Sequence, residues 1–273
     1  MDSPQHCNLA PYLQQQFDRL DDASHKLGED NEALHDCRVA MRRTLSVLKA
    51  FADHSNPVFK TLKKLLKKIL KNSGLCRDLE VFAAAEAHYS LFQHEQLNSP
   101  LFHWVRSQLA AQQTLLMQWF PDKIRQQLMP LLRHYLEQQK EIPITLNRWQ
   151  TAVANSLKKL DRKTADADSA TDKELHRIRL ALKRLRYCNE AAPGFPGALD
   201  GKQLKALQDA LGEWNDQRIQ LTLIKEGLDQ EKQITDLIPA LSEQLTERRH
   251  QAILALKHYL NSVSYNRYGK STR

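Results

Sequence analysis

The sequence predicts an all-α protein built from two related halves, and three observations predict it. The 273 residues include only 8 Gly and 10 Pro, and are rich in the helix formers Leu, Gln, Lys, Arg and Ala. Apolar residues recur at helical spacing along most of the chain. A ten-residue pattern, L-H-x-x-R-φ-A-φ-[RK]-R with φ apolar, occurs twice, at Leu34–Arg43 and at Leu175–Arg184. On a helix turning about 100° per residue, His35, Arg38, Arg42, Ser46 and Lys49 fall in one narrow sector. Leu34, Met41, Leu45 and Leu48 form an apolar stripe beside it. In the second copy His176, Arg179, Lys183 and Tyr187 share a face, flanked by Leu175, Ile178 and Leu182. Such a helix packs by its stripe and holds a ladder of cations at the edge of the packed surface. Two of them predict a pseudo-symmetric protein with a shared basic cleft: one domain over 1–273, with internal repeats at about 8–120 and 122–265.

The elements follow in order. Tyr12, Leu13, Phe17, Leu20 and Leu27 mark a first helix over about 8–27, which Gly28 and the Glu29-Asp30-Asn31 cluster stop. The first motif helix runs to Ala52, before the turn from Asp53 to Pro57. The third helix is the most one-sided, with Lys60, Lys63, Lys64, Lys67 and Lys71 opposite Leu62, Leu65, Leu66 and Ile69. From Leu34 to Lys71 there are ten Lys or Arg against two acids. Such a run is ordinarily a solvated face, but there is no Glu at i±4 to offset repulsion, which points to an anion site. Gly74 ends this helix and Arg77-Asp78 opens the next, through Phe82 and Tyr89 to about Gln96. A turn at Asn98-Ser99-Pro100 precedes a helix carrying Trp104, Leu109, Leu116 and Phe120, and Pro121-Asp122 closes the first half.

Two helices follow, at about 122–140 and 146–162, parted by Ile142-Pro143, and then a polar loop at 164–170. Thr171-x-x-Glu174 is a capping box that starts the second motif helix, and Pro193 to Gly197 stops it. Leu204, Leu207 and Leu211 lead to a break at Gly212, Trp214-Asn215-Asp216 opens another helix, and helices near 216–228 and 233–262 precede a frayed basic end at Arg267–Arg273. Gly74-x-x-x-Asp78 matches Gly212-x-x-x-Asp216, so a whole helical unit is duplicated. The pair reads either as turn chemistry, Gly closing a helix and Asp capping the next, or as an Asp that orients a cleft arginine.

Charge bounds the function classes. A formal net charge of +8 and a pI near 9.3 favour a polyanionic partner: nucleic acid, polyphosphate or an anionic membrane surface. Cys7, Cys37, Cys76 and Cys188 form no C-x-x-C pair, and so read as apolar fillers in a reducing compartment. The start, Met1-Asp2-Ser3-Pro4, has no basic, apolar leader, and no apolar run reaches membrane-spanning length. A cytoplasmic protein without membrane insertion is expected.

The chain resembles the CHAD family, the conserved-histidine α-helical domain. The residues that carry the resemblance are Leu34–Arg43 with Arg77-Asp78, Leu175-His176-x-x-Arg179 through Lys183-Arg184-Leu185-Arg186-Tyr187, and Leu207 to Asp216. The resemblance implies two pseudo-symmetric four-helix bundles around a basic channel, and binding of inorganic polyphosphate. It places His35, Arg38, Arg42 and Arg43 from one half on the channel wall, and His176, Arg179, Lys183 and Arg184 from the other. Lys49, Arg186 and Tyr187 join this set, and Lys63, Lys64, Lys67, Lys202 and Lys205 extend it. Some family members carry a fused triphosphate-hydrolysing domain. With no room for one before residue 8, a stand-alone form is expected, associated with polyphosphate granules or polyphosphate-metabolising enzymes. Ser73 stands where Leu is expected before Gly74, a small packing change; in the second copy Glu190 stands where the first has Lys49 and the third helix has fewer lysines, so the N-terminal half is expected to dominate.

A polyphosphate chain is a flexible line of charge, which Arg forks and mobile Lys ammoniums can grip along a groove. His35 and His176 lie near helix starts and can add a donor when protonated; packed hydrogen-bonding histidines are the alternative, but their place on the cation face and not the leucine stripe favours the anion role. Nucleic-acid binding is the alternative, with Trp104, Trp119, Trp149 and Trp214 stacking on bases. However, they sit among apolar neighbours, and no helix-turn-helix, RNP or zinc-finger signature occurs. A phosphohydrolase using His35-Asp36 is a weaker alternative, because His176 is followed by Arg177 and no metal set, nucleophile–base pair or Gly-rich loop accompanies it. A binding protein without cofactor, metal or catalytic residue is expected.

Overall fold

A computed structural model describes residues 6–85, 95–139, 141–145, 147–151, 170–192, 201–227 and 237–268. The expected helix stretches at 86–94 and 152–162, the loop at 164–169 and the stop at 193–197 lie outside the described residues. The described residues are overwhelmingly helical: α1 Ala10–His25, α2 Ala33–Phe51, α3 Pro57–Asn72, α4 Gly74–Ala85, α5 Glu95–Met117, the single turn α6 Phe120–Asp122, α7 Met129–Gln138, α8 Asp172–Ala191, α9 Gly201–Gly227 and α10 Leu237–Tyr268. None of these helices is long and apolar enough to cross a membrane, among the described residues. Departing from an all-helical expectation, β1 His6–Asn8 pairs antiparallel with β2 Pro143–Thr145, with Cys7 opposite Ile144. Asn8 closes this clasp, its Oδ1 accepting from the amides of Ala10 and Ile142, both at 3.0 Å.

The chain divides into two compact units. The first takes Met1–Gln93, Phe102–Ala152 and Tyr187–Ala198; the second takes His94–Leu101, Val153–Arg186 and Leu199–Arg273. In the first unit α1 packs against α2 and α7, and α3 against α2, α4 and α7. Leu13, Met41, Leu48, Phe59, Leu62, Leu66 and Ile69 are buried there, the apolar stripes that the spacing marks. Each fully buried aliphatic side chain contributes about 1.5–3 kcal/mol of transfer free energy. In the second unit α9 packs on α10, and Leu175, Ile178, Leu182, Leu207, Leu211 and Trp214 are buried.

Helix ends follow local chemistry. Asn56 caps α3, its side chain accepting from the amides of Val58 (2.8 Å) and Phe59 (3.2 Å), with Pro57 at the first helical position. The Thr171–Glu174 capping box forms: Glu174 Oε2 accepts from the Thr171 amide at 2.9 Å and Thr171 Oγ1 from the Glu174 amide at 3.4 Å. Gly28 has φ +91°, the left-handed conformation that lets the chain leave α1.

Three local expectations change. The α5 helix runs through Asn98-Ser99-Pro100; Pro100 lies one turn past its start, where a missing N–H forfeits a single ladder bond. Between α6 and α7 the ladder is π-helical over Lys123–Leu128, and the Met129 amide donates to the Ile124 carbonyl. Pro130 has no N–H to offer the Gln126 carbonyl, so the ladder slips by one residue here. Finally, α9 passes unbroken through Gly212, whereas the matching point of the first copy breaks at Ser73 between α3 and α4. The Ser73 hydroxyl donates to the Ile69 carbonyl at 2.8 Å, one turn back. Such back-bonding bends helices, and Leu211 has no hydroxyl to do it.

Candidate functional site

In the first unit α2 sets out the motif residues. His35 lies in the first turn of the helix and is half-buried. Arg38 is buried, 4% exposed, and turned toward the α3–α4 junction, where its Nη1 donates to the Leu70 carbonyl at 2.8 Å and to the Ser73 hydroxyl. Burial, followed by repulsion from Arg42, pulls its pKa down to about 10, so it stays charged at neutral pH. Arg38 thus seals the end of α3, satisfying a carbonyl that the helix leaves open.

Arg42, half-buried on the same face, has neither hydrogen bond nor ion pair among the described residues. Burial lowers the pKa of His35, with Arg77 the next cause and Arg42 also contributing, so the ring is neutral at pH 7. Arg77 itself is bound to Glu80 at 3.0 Å, a carboxyl that burial raises above the ordinary range. Arg43 is otherwise engaged: its Nη2 is 3.5 Å from Glu190 Oε2 and its guanidinium lies over the buried Tyr187 ring at 5.7 Å. Lys49 is half-buried.

Along α3, Lys60, Lys64, Lys67, Lys68 and Lys71 are exposed, and Lys63 lies over the Phe59 ring at 5.5 Å. No α3 lysine is ion-paired among the described residues. The helix contains no acid, and its i, i+4 neighbours are like charges: 60, 64 and 68 in one row, and 63, 67 and 71 in the other. Lys63 and Lys67 share a face with Leu70, the residue that Arg38 grips.

The second unit repeats the plan with different partners. Arg179 is 9% exposed and pairs with Asp216, Nη2 to Oδ1 3.6 Å. The α9 backbone runs close by at Gly212, where a Cβ would lie 4.0 Å from Arg179 Nη2, an ordinary contact. In this copy the Gly–Asp pair is therefore no turn; the Asp orients the arginine. Arg218 Nη2 donates to Asn215 Oδ1 (3.4 Å), and Asn215 Nδ2 donates to Asp216 Oδ1 (3.3 Å), which fixes the amide's orientation. Asn215 Oδ1 can then only accept from His176 Nδ1, 2.9 Å away, so that nitrogen carries the proton and Nε2 bears a lone pair. Burial is the main cause of a lowered His176 pKa; the Asn215 bond opposes it, and Arg179, Arg218 and Lys183 reinforce it. Lys183, Arg184 and Arg186 are half-buried. Lys202 and Lys205 are exposed, and Lys205 is bound to Asp209 at 3.1 Å.

The structure thus gathers His35 and Arg42 around Arg77 in one unit, and His176 and Lys183 around Asn215 and Arg218 in the other. Arg38 and Arg179 are interior struts behind them. Arg77, Asn215 and Arg218 are additions to the set that the motif supplied. Laying Gly74-x-x-x-Asp78 over Gly212-x-x-x-Asp216 would have found them, since Arg77 matches Asn215 and Glu80 matches Arg218. Among the described residues no group of three or more His, Cys, Asp or Glu side chains is placed to hold a metal ion. The four cysteines are free thiols, and burial pushes those of Cys37 and Cys76 up to about 12.

A helical protein with two histidine–arginine helices, each backed by a buried guanidinium, is the class that this geometry defines. The CHAD domain model matches residues 11–225, and the chain belongs to that family. Among solved structures it is similar to the CHAD domain from the plant Ricinus communis, with TM-score 0.71 and 19% identity over 96% of this chain and 94% of that one. It is also similar to PptA from Streptomyces chartreusis, with TM-score 0.63 and 16% identity over 93% and 98% of the two chains. No curated protein matches the chain.

Proposed function

We propose that the chain binds inorganic polyphosphate without turning it over, through the basic faces of α2 and α3 in the first unit and of α8 in the second. The observation that carries this reading is the run of α3 lysines, with Arg42, that have no ion pair among the described residues. Rows of like charge cost a folded protein stability, a cost that an anion lying on them would offset. The polyphosphate binding implied by the family resemblance supports the same polymer. Arg42, Lys63, Lys64, Lys67, Lys183 and Arg184 grip phosphate oxygens, and His35 and His176 add a donor once protonated. Arg38 and Arg179 position the helices. The setting is cytoplasmic, with polyphosphate granules or polyphosphate-metabolising enzymes as partners.

Duplex DNA is the competitor to test. Trp149 and Trp214, 2% and 0% exposed, are not available to stack on bases. Titration calorimetry of polyphosphate against DNA of matched charge, on wild type and on Arg42→Ala/Lys64→Ala/Lys67→Ala, separates the readings. Tight polyphosphate binding that DNA displaces poorly and the triple variant loses supports the proposal. Equal affinity for both polymers, or binding untouched by the substitutions, overturns it. Release of phosphate from the polymer by purified protein with Mg²⁺ would make it an enzyme instead.

A further inference from the structure

The first unit holds a second cluster of cations, none of them on a motif helix. Between α1 and the Lys123–Gln138 segment lies a cavity of about 190 Å³, lined by Asp21, His25, Arg125, Met129, Pro130 and Arg133. One wall is α1, with Asp21 and His25 one turn apart. The other is a file at four-residue steps, Arg125, Met129 and Arg133, in which the buried Met129 forms the floor. In an unbroken α-helix residues eight apart are turned about 80° from each other. The wider winding of the π stretch Lys123–Leu128 removes part of that offset and brings both arginines toward one face.

Both guanidiniums are steadied by neutral groups alone. Arg125 Nη2 donates to the Ser24 carbonyl at 2.5 Å, and Arg133 lies over the Phe17 ring at 5.6 Å. Neither is ion-paired among the described residues. The Asp21 carboxylate lies 3.9 Å from His25 Nδ1, and that nitrogen already donates to the Asp21 carbonyl at 2.8 Å. The cavity therefore presents two guanidiniums that make no ion pair among the described residues and, opposite them, a carboxylate with lone pairs to fill.

We propose that this cavity binds a phosphate group that carries an acidic proton, either free hydrogen phosphate or the terminal group of a phosphate chain. The two guanidiniums donate to its unprotonated oxygens, and Asp21 accepts from its P–OH. An oxyanion of equal size with no O–H, such as sulfate, would set its lone pairs against those of Asp21. Phosphates inside a polymer lack the proton too, so the site reads ends and not middles. The assignment uses none of the residues that bind the polymer in the preceding proposal.

The test is calorimetry on the full chain with sodium phosphate, sodium sulfate and tripolyphosphate at pH 7 and matched ionic strength. Wild type should bind phosphate saturably and sulfate about tenfold more weakly, and Arg133→Gln should weaken phosphate about tenfold, the loss expected for one charge-assisted contact. Asp21→Asn should abolish the preference for phosphate over sulfate. Tripolyphosphate binding that falls with Arg133→Gln points to chain ends; binding that does not points to the free anion. Equal affinity for sulfate and phosphate in wild type, or phosphate binding unchanged in Arg133→Gln, overturns the assignment. Arg133 is exposed, so its variant folds and decides the question even if Asp21→Asn does not. Arg42→Ala/Lys64→Ala/Lys67→Ala should leave the phosphate preference intact, which separates failure of this site from failure of the polymer site.

Discussion

Arg38 and Arg42 stand one turn apart on the same helix, yet one is an interior strut and the other a free cation. Arg38→Ala strips the Leu70 carbonyl and the Ser73 hydroxyl of their donor. It should cost roughly 2–3 kcal/mol of stability in urea titrations, the loss typical of buried hydrogen bonds to a charged group. Arg42→Ala should leave the urea midpoint nearly unchanged and weaken polyphosphate binding about tenfold. A helical wheel cannot make this distinction, because it gives the sector and not the depth. The depth is set by Ser73 at the α3–α4 break, and Ser73 was legible only as a departure from Leu. The histidines give a pH test. Burial holds both below the ordinary imidazole value, so the unfolded chain binds protons first. Stability then falls on acidification through the range just below about 6.5, and rises again with pH. Thermal midpoints of His35→Gln/His176→Gln should fall less than those of wild type between pH 7 and pH 5.5. Bound polyphosphate, which favours the imidazolium, should shrink the wild-type fall.

At the scale of elements, α3 trades stability for charge. Its two like-charge rows each cost a few tenths of a kcal/mol per i, i+4 pair. Lys64→Glu replaces two repulsions, with Lys60 and Lys68, by two attractions, and should raise stability by about 1 kcal/mol while weakening polyphosphate binding. A variant less stable than wild type in thermal melts would refute this account of the helix. The helices themselves were largely legible: the apolar stripes, the Asn56 and Thr171 starts and the stop after α1 all follow from local chemistry. The breaks were less so. Gly212 and Gly74 share a spacing with Asp, yet only the first copy breaks, because a serine hydroxyl competes with the ladder there and a leucine cannot. The π stretch was invisible, since Pro130 in a helix-forming run says that a bond is lost and not where the ladder recovers it. The strands β1 and β2, three residues each and paired in the register His6–Thr145, Cys7–Ile144 and Asn8–Pro143, have no alternation long enough to read.

At the scale of the whole molecule, the proposed polyphosphate binding would draw its affinity mainly from electrostatics, given the net charge of +8. The logarithm of the polyphosphate association constant should fall linearly with the logarithm of salt, with a slope near −0.7 for each phosphate contacted, if the polymer behaves as other single-stranded polyanions do. Calorimetry at two or more salt concentrations reads that slope, and a flat line would mean that fixed hydrogen bonds, and not released counterions, hold the chain. The motif puts the same residue types on one face of α2 and of α8, a pattern that the sequence carries in full. Different neighbours then fixed each copy: Ser73 and Arg77 in one, Asp216 and Asn215 in the other. The two halves have therefore ceased to be interchangeable at the very positions that hold their histidines.

The first unit is assembled from both ends of a long stretch of chain: β1 is paired with Pro143–Thr145, and Tyr187–Ala191 at the end of α8 belongs to the same unit. On a ribosome, where segments emerge in order, β1 must wait for residue 145, and the unit is incomplete until residue 191 has left the tunnel. By then the whole of α8, the second histidine helix, has been synthesised. The halves of this duplication cannot fold one after the other as they are made; the earlier one stays open until the later one has begun.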